Sequence, residues 1–243
     1  MNDARQGQPF AVFDIDGTVI RWQLYHAIND ALARKGIIDK QSFEQVRAAR
    51  MDWKRRSGDE SFHDYEQALV RVFERTLEGL GVHDLSVAAE EVFDEYKDQV
   101  YTYTRDLIRT LKAKQYLLFA ISGSPDIIIE KLAQYYGFDD YAASHYEAHG
   151  DRFTGITTIT IGKKAELLQQ LIDKHHALQA GSIGVGDGEG DIAMLTMVEK
   201  AIAFNPSKKL AAHATQHHWP IIVERKNVIY SLDYQSGNYQ LSL

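Results

Sequence analysis

Hydrophobic positions along the chain switch between two periods, and the switches divide it. Phe10–Ile15 (FAVFDI) is a short apolar run ending in acid, which predicts a buried strand, and Gly17 breaks it. From about Trp22 to Tyr103 apolar residues recur at helical spacing, as in Leu24, Ile28 and Leu32, then Tyr65, Leu69, Val72 and Phe73, then Val92, Phe93 and Tyr96. Breakers at Gly36, Gly58 and the Gly79/Gly81 pair cut this stretch into four predicted helices, with no strand pattern between them.

Beyond Tyr103 strands and helices alternate. Helices are predicted at Arg105–Lys114, Pro125–Tyr136, Lys163–His176, Asp191–Glu199 and Ser207–Ala214, with Pro125 suited to a first helical turn. Strands are predicted at Tyr116–Ser122, Tyr141–Tyr146, Phe153–Ile161, Ser182–Gly186 and Ala201–Phe204, with a turn at Gly150-Asp151. Ile221–Val223 is the last predicted strand, and Gln235–Leu243 reads as a peripheral tail. The alternation implies an α/β fold with a Rossmann-like, mostly parallel sheet, helices on both faces and ligands at the carboxyl ends of the strands. The expected organisation is a core domain from residues 1–20 and 104–243, with an all-helical domain inserted at 21–103.

Composition narrows the partners. The 243 residues carry 27 Lys plus Arg against 34 Asp plus Glu, a formal net charge of −7, and 44% are hydrophobic. This is a globular balance that argues against general binding of nucleic acid or anionic membrane. The absence of cysteine excludes disulfide frameworks, thiol catalysis and zinc sites built on Cys. Tyr116–Ile121 is far too short to span a bilayer and Met1–Pro9 is polar with no apolar signal core, so a soluble, cytoplasmic protein is expected. Oligomeric state is not legible.

Candidate chemistry collects at the predicted strand ends. Asp14 and Asp16, in DIDGT at Asp14–Thr18, close the first strand; paired carboxylates there suit a nucleophile beside an acid/base group sharing a hard cation. Ser122 and Gly123, in SGS at Ser122–Ser124, stand before a predicted helix, where a hydroxyl and free N–H groups can bind anionic oxygens. Lys163 and Lys164 open another helix against the sign of its dipole, which favours a nearby anion. Asp187 and Asp191 flank a Gly-rich turn in GDGEGD at Gly186–Asp191, which lacks the spacing of an EF-hand. Each pattern alone has an ordinary reading: a strand stop, a helix cap, a solvated lysine pair, an acidic turn.

In this order the four patterns, with KAELL at Lys164–Leu168 as the third, resemble the haloacid dehalogenase superfamily. The likeness is closest to its phosphoserine-phosphatase-like branch, which carries a helical cap between the first two motifs. IAFNPS at Ile202–Ser207 is similar to the family's strand and loop after the last motif, so the resemblance runs from Phe10 to about Val223. It implies a Mg²⁺-dependent phosphatase hydrolysing a small phosphorylated metabolite through an aspartyl-phosphate. By the resemblance Asp14 is the nucleophile and Asp16 the acid/base. Mg²⁺ is held by Asp14, Asp16 through its carbonyl and Asp187, with Asp191 behind them, while Thr18, Ser122, Gly123 and Lys164 take the phosphoryl oxygens. A phosphotransferase of the same family would use the same set. A phospho-acceptor signalling domain also combines clustered Asp, Mg²⁺, a hydroxyl and a Lys, but such domains are about half this length and have no helical insert.

The resemblance also bears on the substrate. In phosphoserine phosphatases an acidic residue soon after the first motif meets the substrate amine, and an arginine on a later cap helix meets its carboxylate. Those positions fall at Gln23 and near Val72, beside Arg71, so phosphoserine is not the expected preference. Among the ten histidines, His145/His149, His175-His176 and His217-His218 have no convergent spacing. Arg47, Arg50, Lys54, Arg55 and Arg56 read as a solvated helix face, and Trp22 and Tyr25 as pocket lining or cap core.

Overall fold

A computed structural model describes residues 7–58 and 61–242. The expectations that fall on residues 1–6, 59–60 and 243 lie outside the described residues. In chain order the first elements are β1 (Pro9–Phe13), α1 (Leu24–Arg34), α2 (Lys40–Arg55), α3 (Ser61–Leu77), α4 (Val82–Tyr96), α5 (Thr102–Ala113), β2 (Leu117–Pro125), α6 (Asp126–Tyr136) and β3 (Asp140–His149). Then come β4 (Arg152–Thr158), α7 (Lys164–His175), β5 (Leu178–Gly186), α8 (Ile192–Leu195), β6 (Lys200–Phe204), α9 (Lys208–Gln216), β7 (Ile221–Arg225), β8 (Val228–Gln235) and β9 (Asn238–Ser242). The chain forms two units. One holds the chain up to Trp22, Tyr96–Ser144 and everything from Ile159; the other holds Gln23–Glu95 and His145–Thr158.

In the first unit the strands run in the order β3-β2-β1-β5-β6-β7-β8-β9. From β3 to β7 the pairs are parallel, and the β7-β8 and β8-β9 pairs are antiparallel. β1 is central, with Phe13 opposite Ala120 on one side and Val185 on the other. A strand paired on both edges and covered on both faces needs a continuous apolar run, and Phe10, Ala11, Val12 and Phe13 are all fully buried. Phe10, Val12, Phe119 and Ile121 join Leu168, Leu171, Met194, Leu195 and Leu210 in one core cluster. The chain lays β2 and β3 to one side of β1 and β5 to β7 to the other. The switch in direction leaves a crevice at the carboxyl ends of β1 and β5, where this class of sheet binds ligands. Phe119 is fully buried and stacks on Phe10 at 5.7 Å. Phe119→Ala is expected to lower stability by about 3–5 kcal/mol in urea unfolding, and a loss below about 1 kcal/mol would contradict this placement of the core.

The sheet departs from the sequence expectation in two places. The helix expected at Asp191–Glu199 is only α8 after a 3₁₀ turn at Glu189–Asp191. Met197 and Val198 pack on the core from the turn that follows, so apolar spacing outlasts the helix. Ile221–Val223 is not the last strand, since β8 and β9 add an antiparallel hairpin. Its turn residues Ser236 and Gly237 both have positive φ (51° and 89°), as two-residue hairpins require, and Ser-Gly was the readable signal. β8 (VIYSLDYQ) also alternates Val228, Tyr230, Leu232 and Tyr234 with a more polar face, so its period-2 pattern was legible too.

The second unit is not all-helical. Besides α1 to α4 it contains the far half of β3 paired antiparallel with β4. Gly79 N–H donates to the Phe153 carbonyl, Phe153 N–H to Leu80 and Val82 N–H to Asp151, which ties the hairpin to the α3–α4 connection. Phe73 lies edge-on to Tyr25 (4.9 Å) and Tyr146 (5.3 Å), whose hydroxyls are 2.6 Å apart. The unit therefore differs from the expected 21–103 insert by gaining residues 145–158 and leaving 21–22 and 96–103 to the first unit. Partners this far apart in sequence leave no local pattern. Tyr25 is core here, whereas Trp22 belongs to the first unit, stacked on Tyr96. Arg50 departs from the solvated reading: its side chain is 15% exposed, pairs with Asp30 at 3.1 Å and donates to buried His26. No helix among the described residues is long and apolar enough to cross a membrane.

Candidate active site

The first two motif residues are delivered by β1. Asp14 N–H still donates to Val185 in β5 (3.0 Å), so the Asp14 side chain is fixed at the strand end. The chain then winds back: the Ile15 carbonyl accepts from Thr18, Val19 and Ile20 N–H. Gly17 takes φ +84°, and a Cβ there would overlap the Asp187 carboxylate. A side chain at this position would meet both a backbone and a steric penalty, so glycine lets the two acidic loops approach. Gly186 has a related role, because a Cβ on it would sit 2.6 Å from Asp191.

The carboxylates converge. Asp14, Asp187 and Asp191 each place an oxygen within 4.8 Å of the others. Lys164, first residue of α7, donates to Asp14 Oδ1 (2.6 Å) and Asp191 Oδ1 (2.6 Å) with its side chain only 11% exposed. Asp191 Oδ2 accepts the N–H groups of Asp187 (3.0 Å) and Gly188 (2.9 Å), which shapes the Gly-rich turn. Asp14 Oδ2 is buried without a hydrogen-bond partner, as is Thr18 Oγ1. Asp16 is turned differently. Its Oδ2 accepts from the hydroxyls of Ser122 (2.6 Å) and Ser124 (2.9 Å), while Ser122 Oγ accepts Ser124 N–H (2.9 Å). Gly123 is pinned from the other side, its carbonyl accepting from Ser144 Oγ (2.8 Å). Thr160 Oγ1 donates to the Ser122 carbonyl (2.7 Å). Ser124, Ser144 and Thr160 were not singled out from the sequence; only Ser124 lies in a motif. Lys163 is exposed and does not share the position of Lys164.

Four acids around one lysine leave excess negative charge in a buried place. Burial, then Asp191 and Asp16, push the Asp14 carboxyl up to about 7 against the pull of Lys164. Burial, then Asp14 and Asp191, raise Asp187 well above the ordinary carboxylate range. Burial works against the Lys164 ammonium, but Asp14 and Asp191 outweigh it and strengthen its hold on the proton. A hard divalent cation fits this donor set: oxygen ligands only, surplus negative charge, and an orphaned buried oxygen on Asp14. Among the described residues the histidines offer no comparable set. α9 does place His213 and His217 one turn apart, but their rings stack at 4.2 Å and 26°, so their in-plane lone pairs run side by side instead of converging.

The family of haloacid dehalogenase-like hydrolases matches residues 11–196, three-quarters of the chain. The chain belongs to that family. A histidinol-phosphatase of Neisseria meningitidis is 23% identical over 226 residues, covering 87% of this chain and 97% of that protein. A phosphoserine phosphatase of Archaeoglobus fulgidus is 26% identical over 202 residues and 82% of this chain, which spans only about half (53%) of the archaeal protein. Among solved structures, a substrate-bound phosphoserine phosphatase matches with a TM-score of 0.65 at 19% identity, covering 91% of this chain and 95% of the other. The fold is thus that of the phosphoserine-phosphatase-like branch of these hydrolases, whose members carry a cap domain.

Proposed function

We propose that this hydrolase is a Mg²⁺-dependent phosphomonoesterase that cleaves a small phosphorylated metabolite through an aspartyl-phosphate on Asp14. The observation that carries the reading is the unlike treatment of two carboxylates at one strand end. Asp14 keeps one oxygen on Lys164 and one without a partner, as a nucleophile requires; Asp16 is oriented by two hydroxyls on one oxygen, which fixes the carboxyl beside Asp14 for proton transfer. Asp14, Asp187 and the Asp16 carbonyl would hold Mg²⁺, which when bound offsets the charge of the phosphoryl group.

In the first half-reaction Asp14 attacks phosphorus, the bond from phosphorus to the ester oxygen breaks, and Asp16 gives its proton to that oxygen. In the second, water attacks the same phosphorus, Asp16 takes its proton, and the bond to Asp14 breaks to release phosphate. Lys164 neutralises phosphoryl oxygens and the attacking carboxylate; the Gly123 N–H and the otherwise unpartnered Thr18 hydroxyl supply further donors. The test is multiple turnover of para-nitrophenyl phosphate with Mg²⁺. Absence of turnover by the folded protein would overturn the reading, and phosphoryl transfer to an added alcohol in preference to water would identify a phosphotransferase.

The named relatives act on a histidinol phosphate and on phosphoserine. For this chain phosphoserine is not the expected preference. Gln23, at the start of α1, carries no charge, and Val72 is 6% exposed. Arg71 is exposed and donates to Gln67 within its own helix. Losing a charged partner for an ammonium or carboxylate costs about 1.5–3 kcal/mol, roughly ten- to a hundredfold in selectivity. The ratio of kcat/KM for phosphoserine over other small phosphomonoesters is therefore expected to stay below about ten; a hundredfold advantage for phosphoserine would refute the argument.

A further inference from the structure

Glu224 lies in β7, away from the cluster of acids, yet it is 6% exposed and both of its oxygens are used. Oε1 accepts Thr102 N–H (2.9 Å) and Oε2 accepts Tyr103 N–H (2.8 Å). These are two of the orphan donors at the start of α5, whose N-cap residue Tyr101 makes no side-chain cap of its own. A carboxylate at a helix N-terminus is favoured by the dipole, which explains how the charge is tolerated. A cap alone does not explain where the first turn of α5 leads.

That turn holds the first acidic loop. Thr104 Oγ1 donates to the Thr18 carbonyl (2.9 Å), and Tyr101 N–H donates to the Val19 carbonyl (3.1 Å). Thr18 and Val19 in turn donate their N–H groups to Ile15, the residue between Asp14 and Asp16. The backbone of Glu224 reaches the second acidic loop. Its N–H donates to Asn205 Oδ1 (2.9 Å), and Asn205 sits in the left-handed region (φ 42°) with its own N–H on Ile222. Two residues on, Ser207 N–H donates to the Asp187 carbonyl (2.8 Å).

We propose that Glu224 is a positioning residue for the reaction. It is a brace that fixes the Asp14–Thr18 loop, through α5 and Thr104, against the Asp187 loop, through Asn205. The proposal rests on the phosphatase reading only for its kinetic consequence. Glu224→Gln keeps the shape but replaces one acceptor with a second donor facing an N–H group. Thr104→Val removes one strut.

The experiment combines hydrogen exchange, followed by mass spectrometry, with kinetics on para-nitrophenyl phosphate and Mg²⁺, at a temperature where circular dichroism shows each variant folded. In Glu224→Gln, exchange in peptides covering residues 14–20 is expected to rise about tenfold or more, with β2 unchanged and with residues 186–191, reached through the retained backbone N–H of residue 224, within about threefold. Exchange that rises only in α5, or uniformly, overturns the brace without touching the phosphatase reading. In kinetics, kcat is expected to fall about ten- to a hundredfold with KM within about threefold. Thr104→Val should lose part of that rate, and the double variant should be no worse than Glu224→Gln within about threefold, as expected when both act along one path. A kcat within twofold of wild type in Glu224→Gln, or multiplicative losses in the double variant, overturns the proposal. Should Glu224→Gln fail to fold, Thr104→Val decides by the same exchange readout at residues 14–20. A wild-type protein that does not turn over the ester fails the phosphatase reading instead, and the exchange result still decides the brace.

Discussion

Asp14→Asn is expected to turn over a phosphomonoester at least about a thousandfold more slowly than wild type while remaining folded. The amide keeps the shape of the carboxyl and can still accept from Lys164, which bonds Asp14 Oδ1 at 2.6 Å. It lacks the anionic oxygen that the proposed reaction uses against phosphorus, so no acyl phosphate would form. The buried Oδ2 without a partner becomes an NH₂ group in the same place. Stability provides a second check. Asp14 is raised from 3.8 to about 7 in the folded protein, chiefly by burial. Between those values the unfolded chain releases the proton and the folded chain keeps it, so the metal-free wild type loses stability as pH rises from about 4 to 7. The variant lacks this loss. Without metal it should melt above wild type at pH 8, with the gap closing toward pH 4. Near-normal turnover by the folded variant would remove Asp14 from the nucleophile's role, and a gap that widens toward acid would contradict the electrostatics of the site.

Much of this was legible because the relevant signals are local. β1 reads as FAVF because it is buried on both faces, and the acids follow it directly. Gly17 was visible as a breaker and Gly186 as the start of a Gly-rich turn, although only the structure shows that each leaves room for a specific aspartate. The order of Asp14, Ser122, Lys164 and Asp187 could be read without knowing that parallel strands bring them to one crevice. What escaped is non-local. Glu224 looks like a charge at the end of a short strand; that it caps α5 depends on a partner more than a hundred residues earlier. Ser144 and Thr160 support the Ser122-Gly123 turn from β3 and from the segment after β4, outside any motif. The β3–β4 hairpin was predicted as strands, but its membership in the second unit rests on pairing with the α3–α4 connection. The ion pair of Arg50 with Asp30 was hidden in the same way, since twenty positions along the chain separate a basic helix face from its acid.

Removal of Mg²⁺ is expected to abolish turnover and its return to restore it, and Asp187→Ala is expected to lose both activity and metal response. Asp14, Asp187 and Asp191 crowd oxygens within 4.8 Å, and Lys164 supplies a single opposing charge among the described residues. Burial and mutual repulsion hold Asp187 well above the usual carboxylate range, so without a cation the site favours protons. Mg²⁺ and protons therefore compete, and apparent Mg²⁺ affinity should weaken as pH falls through about 7, where Asp14 takes up its proton. Binding to the folded state alone stabilises by about 2.7 kcal/mol when free Mg²⁺ is a hundredfold above its dissociation constant. Wild-type Tm should accordingly rise with Mg²⁺ at pH 8 and rise less at pH 6. Asp187→Ala should show little shift at either pH, and its metal-free form should be at least as stable as metal-free wild type because one repelling carboxylate has gone. Full activity after exhaustive chelation would exclude the cation from the reaction. A Mg²⁺-induced shift of wild-type size in Asp187→Ala would place the cation elsewhere in the molecule.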